Sequence, residues 1–136
     1  MIEFEVKTGG RTDFVDITAR VQASASDLGM ADGALLVWVP HTTAAVTVNE
    51  GADPDVVRDL ADALDRMVPW TADYRHAEGN AAAHVKSSLF GCDQVVPVVS
   101  GRLALGTWQT IWFCEFDGPR RRRVRVSALQ ADGRDG

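Results

Sequence analysis

The chain has 136 residues, 46% of them apolar, which is enough for one domain with a real core and cramped for two. Fourteen basic against nineteen acidic residues leave a net charge of −5, which argues against a nucleic-acid binder held by summed phosphate attraction. The opening MIEFEVKTGG has no cationic start and no apolar leader core, and no apolar run approaches spanning length, so the expectation is a cytoplasmic protein with no membrane partner.

Ile2, Phe4 and Val6 alternate with Glu3, Glu5 and Lys7, the period-two pattern of a strand with one buried face. Gly9-Gly10 turns the chain, and DFVDI forms a second strand. A helix follows, capped by Asp16 or Thr18, with Ile17, Val21, Ala25 and Leu28 on its apolar face and Gly29 as its stop. After the Asp32-Gly33 turn, ALLVWVP is a continuous apolar run, as expected for a strand covered on both faces. It delivers His41 at its end. AAVTVN reads as the next strand, so PHTT is a junction between two strands.

DPDVVRDLADALDRMVP predicts the clearest helix, with Asp53 as cap, Pro54 at the first helical position, and Val56, Val57, Leu60, Leu64 and Met67 as its stripe. PWTADYR lacks periodicity. A short helix over about Asn80 to Phe90 closes on Gly91. DQVVPVV, RLAL, TWQTIWFCEF and RRRVRVSAL are antiparallel strand candidates, and ADGRDG, residues 131–136, reads as a frayed tail. The expected fold is therefore α+β: one domain over 1–136, an antiparallel β-sandwich-like sheet with two or three helices packed on it. Cys92 and Cys114 stand apart, without metal spacing, and read as reduced, partly buried thiols.

The candidate site begins with HAEGNAAAHVKSSLFG, residues 76–91. On a helix Asn80 and His84 share a face, and His76 lies just before them. A backbone carbonyl would satisfy a core His84 equally well. His41, in the polar cluster His41-Thr42-Thr43, raises the functional reading, because three converging imidazoles would hold a zinc-like ion and leave a fourth position for water or substrate. Asn49 and Glu50 are either turn residues feeding the Asp53 cap or site residues. Glu78 is either a carboxylate fixing a histidine tautomer or a favourable charge near a helix start. Lys86 is a point charge for a substrate phosphate or an ordinary solvated lysine. In PRRRRVRV, Arg121, Arg123 and Arg125 alternate with Arg122, Val124 and Val126, as in a protected edge strand, while Arg120 after the DGP turn suits an anionic substrate. Gly106 before Trp108 and Gln109 suggests a tight entry, with sheet-face packing of Trp108 and Trp112 as the simpler alternative.

Three blocks, HTTAAVTVNEGADPDV, YRHAEGNAAAHVKSSLFG and GRLALGTWQTIWFCEFDGPRRRRV, resemble the motifs of the YjbQ-like family, uncharacterised proteins often labelled secondary thiamine-phosphate synthases. The resemblance spans roughly residues 35–126 in order. It implies an α+β sandwich-like fold, a homotrimer, and motif residues gathered near a cleft between subunits. It also implies that the family's polar motif positions are His41, Thr42, Thr43, Asn49, Glu50, His76, Glu78, Asn80, His84, Lys86, Gln109, Glu115 and Arg120. The label's reaction condenses an aminopyrimidine pyrophosphate with a thiazole phosphate and releases pyrophosphate. For that reaction His41, Glu50, His84 and Glu115 are the expected catalytic residues, with the histidines moving protons and the carboxylates orienting them. Thr42, Thr43, Asn49, Asn80, Lys86, Gln109 and Arg120 are expected to bind substrate, with Lys86, Arg120 and a divalent ion, zinc or magnesium, stabilising the leaving group. The chain lacks an aspartate-rich magnesium-pyrophosphate motif, and the histidines look more like a transition-metal or acid/base set. Two alternatives follow. One is a hydrolase of a small phosphorylated or amide substrate, with a metal on His41, His76 and His84 and Glu50 as base. The other is a trimeric module that binds a small anionic metabolite without chemistry.

Overall fold

The computed structural model describes residues 1–130; the expectation of a frayed tail at 131–136 lies outside the described residues. The alternating segments form β1 (Ile2–Lys7), β2 (Asp13–Asp16), β3 (Gly33–Trp38), β4 (Ala44–Glu50), β5 (Asp93–Val99), β6 (Arg102–Leu103), β7 (Gln109–Glu115) and β8 (Arg121–Leu129). The helical patterns form α1 (Thr18–Asp27), α2 (Pro54–Met67) and α3 (Ala81–Phe90). Asp16 accepts from the Thr18 N–H at 2.9 Å, while Thr18 itself turns its hydroxyl to accept from the Ile111 N–H at 3.0 Å. Asp53 caps α2 by accepting from the Asp55 N–H, and α3 ends on Gly91 at φ 90°, a left-handed position that glycine occupies without a Cβ penalty.

All strand pairs are antiparallel, in one sheet ordered β1-β8-β3-β5-β6 and another ordered β2-β7-β4. The expected α+β fold, antiparallel sheet with two or three helices, is the fold observed, with three helices among the described residues. The sheets face each other over a core in which Leu35, Val37, Val96, Val98, Val124 and Val126 of the larger meet Val46, Ile111 and Phe113 of the smaller, with Val21 and Ala25 of α1 joining them. The other face of the smaller sheet is covered too: Ala45 and Cys114 pack with Leu64 of α2, Ala83 of α3 and Phe116. Both cysteines are free, and burial pushes the Cys114 thiol far above its ordinary value, as expected for a thiolate denied water. Among the described residues no helix is long and apolar enough to cross a membrane.

Two expectations are corrected. The arginine-rich strand is not an edge: β8 lies between β1 and β3, and its outward arginines sit over β1 carboxylates, with Arg123 and Arg125 each 2.9 Å from Glu3. Those ion pairs, rather than an unpaired edge, account for the alternating charge. Nor is β3 covered on both faces. Leu35 and Val37 are buried in the core, but Trp38 is 39% exposed and lies on the face turned away from the smaller sheet.

Gly51 follows β4 where a Cβ would overlap the Thr110 side chain. Gly51→Ala is expected to cost about 1–3 kcal/mol by overpacking, read as a lower urea midpoint. Thr110→Ala in the same chain should restore only part of it, because the Thr110 Cβ, 2.6 Å from the added methyl, remains.

Candidate functional site

The site is built on a buried ion pair. By strand alternation Glu115, at the end of β7, falls on the same face as Ile111 and Phe113, and Arg122 on the same face as Val124 and Val126, so both point between the sheets. Glu115 is fully buried and Arg122 3% exposed. Arg122 Nε donates to Glu115 Oε1 at 2.9 Å and Nη2 donates to Oε2, a two-pronged pair. The Thr8 hydroxyl donates to Oε1 at 2.8 Å and the Asp117 N–H to Oε2 at 3.1 Å, so each carboxylate oxygen has two donors. Arg122 Nη2 also reaches Thr43, 2.8 Å from its hydroxyl and 3.2 Å from its carbonyl, which ties the His41-Thr42-Thr43 junction to the pair. The second terminal nitrogen, Nη1, has no hydrogen-bond partner among the described residues, and Arg122 borders the cleft above.

That cleft measures about 440 Å³. The junction forms one wall with His41, Thr42 and Thr43. The start of α3 and the residues before it form another, with Glu78, Asn80 and His84. Asp117 and Arg120, from the β7–β8 turn, close it. Arg120 is held by Asp117, Nε to the carbonyl at 2.9 Å and Nη2 to the carboxylate at 3.1 Å, and Asn80 Nδ2 donates to that carboxylate at 2.9 Å. Asn80 Oδ1 is buried without a partner among the described residues. An orphaned buried acceptor costs about 1–3 kcal/mol, so it calls for a donor beyond the described residues. The turn is closed by Gly118, where a Cβ would run into the Gly10 carbonyl and the Glu115 side chain.

His41 Nε2 accepts from the Arg123 N–H at 2.9 Å, so that nitrogen carries a lone pair and the neutral ring carries its proton on Nδ1. Burial and the nearby Arg122 charge hold its pKa below the ordinary 6.5. His84 shares the cleft with it. The His76 ring packs edge-on against His84, centroids 5.1 Å apart, but His76 itself lines a neighbouring cavity rather than the cleft. Among the described residues of one chain no three His, Cys, Asp or Glu side chains gather as a metal-holding set.

Of the residues expected from sequence, His41, Thr42, Thr43, Glu78, Asn80, His84 and Arg120 line the cleft and Glu115 lies beneath it. Lys86 does not reach it. Two positions after His84 it points to another side of α3, where it is 2% exposed and pairs with Asp65 of α2. Asn49, Glu50 and Gln109 are also elsewhere. Glu50 pairs with Gln109 at the far end of β4 and β7, about 20 Å from the junction at a strand's rise per residue. There Gln109 Oε1 accepts from the Gly106 N–H at 2.8 Å, and Trp108 is 65% exposed instead of packed on a sheet face. Trp112 packs against the cluster under the helices, and its Nε1 donates to the Glu50 carbonyl at 3.0 Å. Sequence reasoning passed over Asp117 and Arg122. Arg122 left a signal, since a lone charge in phase with Val124 and Val126 belongs to a buried face.

A profile of the family described as "UPF0047 protein YjbQ-like" matches residues 2–131. The UPF0047 protein YugU of Bacillus subtilis is 52% identical over 126 residues, covering 92% of this chain and 96% of that protein. A UPF0047 protein of Methanocaldococcus jannaschii is 43% identical, over 95% of this chain and 94% of its own. The crystal structure of an uncharacterised YjbQ/UPF0047 protein from Clostridium acetobutylicum superposes with a TM-score of 0.93 at 48% identity, covering 95% of this chain and all of that one. One from Sulfolobus solfataricus, described as of unknown function, superposes at 0.88 with 32% identity and 92% of each chain covered.

Glu115→Ala leaves Arg122 buried and unpaired, so a loss of about 3–5 kcal/mol is expected in urea unfolding, largely recovered in the Glu115→Ala, Arg122→Met double variant. His41 should titrate below 6.5 by NMR. Because the fold favours its neutral ring, that contribution to stability is complete above the ordinary pKa and disappears as pH falls through the depressed value. A His41→Gln chain should lack this part of the pH dependence.

Proposed function

The chain belongs to the UPF0047 YjbQ-like family, and from that premise we propose that its cleft binds a small phosphorylated metabolite and carries out group transfer on it, as a homotrimer in the cytoplasm. The observation that carries this reading is Arg122 in the cleft lining, a buried cation whose Nε and Nη2 are already used and whose Nη1 has no hydrogen-bond partner among the described residues. A phosphate oxygen is the natural acceptor for it, with Arg120 beside it. Arg122 thus takes the anchoring role expected of Lys86. The buried Asn80 Oδ1 asks for an N–H or O–H on the same ligand.

His41, neutral near pH 7 and beside His84, suits proton transfer. In the finer reading, thiamine-phosphate synthesis, Arg120 and Arg122 stabilise the departing pyrophosphate of the aminopyrimidine substrate while the thiazole phosphate nitrogen forms the new bond. Glu115 acts by holding Arg122. Asn49, Glu50 and Gln109 fit this reading if a second copy brings the far end of its smaller sheet to the cleft. A metal-dependent hydrolase remains a second reading, favoured by the packed His76–His84 pair. Either imidazole would offer a nitrogen to zinc or magnesium, and a further ligand such as a neighbouring subunit's side chain would be required, since the lone pair of His41 is taken by the Arg123 N–H.

Inorganic phosphate and pyrophosphate are expected to bind by calorimetry, with Arg120→Ala weakening them about tenfold or more. An unchanged affinity would sink the phosphate reading. Rescue of a thiamine-requiring bacterial strain, lost on His84→Ala, tests the synthase. Elemental analysis of untagged protein, wild type against His84→Ala, tests the metal. For the shared site, chains carrying Glu50→Ala and His84→Ala should be inactive alone and regain turnover when mixed.

A further inference from the structure

The His41 ring stands in for a missing piece of sheet. β3 pairs with β8 as far as Trp38 opposite Arg125, and the same register carried two residues further would set Arg123 against Pro40. The strand has ended before that point, so the Arg123 N–H has no strand carbonyl to meet. The imidazole supplies the acceptor instead, with Nε2 at 2.9 Å. That bond decides the chemistry of the ring. A ring nitrogen that accepts an N–H carries no proton of its own, so the one proton of the imidazole sits on Nδ1. Burial and the Arg122 charge work in the same direction by disfavouring a second proton.

Nδ1 is in turn free to donate. Among the described residues the buried side-chain nitrogen or oxygen atom that lacks a hydrogen bond is Asn80 Oδ1. His41 Nδ1 and Arg122 Nη1 lack partners there too but are not buried, and both residues line the cleft. The two are neighbours: Arg122 Nη2 lies 2.8 Å from the hydroxyl of Thr43, two residues after His41, and the Arg122 charge acts on the imidazole. Neither donor is free to turn away. Glu115 anchors the guanidinium through Nε and Nη2, and the Arg123 N–H anchors the ring through Nε2. Donors held in place by the fold need no reordering when an anion arrives, which favours oxyanion binding.

We infer that His41 is a fixed N–H donor to the anion in the cleft, its Nδ1–H acting beside Arg122 Nη1, and that it moves no proton itself. This rests on the anion reading of the cleft and narrows the work of the two histidines. Taking a proton at Nε2 would drive the Arg123 N–H off its acceptor, and losing the Nδ1 proton would leave an anionic ring against the bound anion. Proton transfer then falls to His84, which borders the same cleft and whose nitrogens are tied to no described residue. The ligand must also meet the two sides of the cleft differently, with an oxygen lone pair toward His41 and its own donor toward Asn80 Oδ1.

Two substitutions separate the two nitrogens of the ring. In His41→Gln the side-chain carbonyl reaches the Nε2 position and still accepts from Arg123, but the donor at Nδ1 is gone. In His41→Asn the amide N–H stands near Nδ1, and the Arg123 bond is lost. By calorimetry, inorganic phosphate is expected to bind His41→Gln about tenfold more weakly than wild type and His41→Asn within about threefold of it, although His41→Gln resists urea better. A histidine that only fastens β8 to the junction gives the opposite order of affinities, and that order overturns the inference. Nitrogen NMR of the three histidine rings in isotope-labelled wild type needs no variant to fold. The His41 proton is expected on Nδ1 with and without phosphate, its signal moving downfield as phosphate binds. A proton on Nε2, or an Nδ1 signal that bound phosphate leaves in place, overturns the donor role. If neither phosphate nor pyrophosphate binds, the phosphate reading has failed on its own. The same titration with sulfate and with acetate then judges His41: a moving Nδ1 proton upholds the donor role, and no movement with either overturns it.

Discussion

The cleft depends on one interaction, the ion pair of Arg122 and Glu115 between the two sheets. Placing two charges inside a sandwich of valine, isoleucine and phenylalanine costs several kcal/mol per ion before any attraction is counted. The cost is offset here by completeness: the carboxylate has four donors, two from Arg122 and one each from Thr8 and the Asp117 backbone. A hydrophobic pair of similar volume would hold the sheets together at least as well. What it would not do is present a guanidinium nitrogen to the cleft or fasten Thr43, and through it the junction that carries His41. The pair is best understood as positioning chemistry inside a core that apolar residues already stabilise.

The same logic runs through the cleft walls. Asp117 is flanked by Arg120 and Asn80, and His41 receives the backbone N–H of Arg123. Asp117 and His41 are thereby fixed by partners on a different segment of chain, while Arg120 is held within its own turn. The exceptions are informative. Arg122 Nη1 and Asn80 Oδ1, one donor and one acceptor, make no hydrogen bond with the described residues, and it is on these two atoms that the proposed anion with a hydrogen-bond donor rests.

Much of this was legible in the sequence. Alternation in β1 and β8 and the cap and stop of α2 and α3 are local signals, and local signals survive into the fold. The histidine block and the HTT junction were legible because polar residues in apolar surroundings need a reason. Lys86 was not, since a lysine on a helix between alanines and serines gives no hint that Asp65, on a separate helix, will cover it. The position of β8 was hidden for a related reason: alternating arginine and valine describe a strand with one polar face, and whether that strand has one neighbour or two is decided by β1 and β3, far away in sequence. Asn49, Glu50 and Gln109 form a coherent pair of strand ends within one chain, yet nothing in their spacing tells which end of the sheet they occupy.

Placing β8 between β1 and β3 also fixes when the site comes into being. Synthesis delivers the first strand early, but the pairing of Ile2 with Val126 and of Thr8 with Glu115 bridges more than a hundred residues. Until β8 emerges, the larger sheet lacks the strand that joins its two parts, and Glu115 has no guanidinium to neutralise it. Loop closure over such separations is paid in entropy before any contact rewards it, which slows folding and leaves strand edges open meanwhile. A nascent chain therefore cannot hold the cleft in advance of β8, and the cleft forms together with completion of the larger sheet rather than piece by piece.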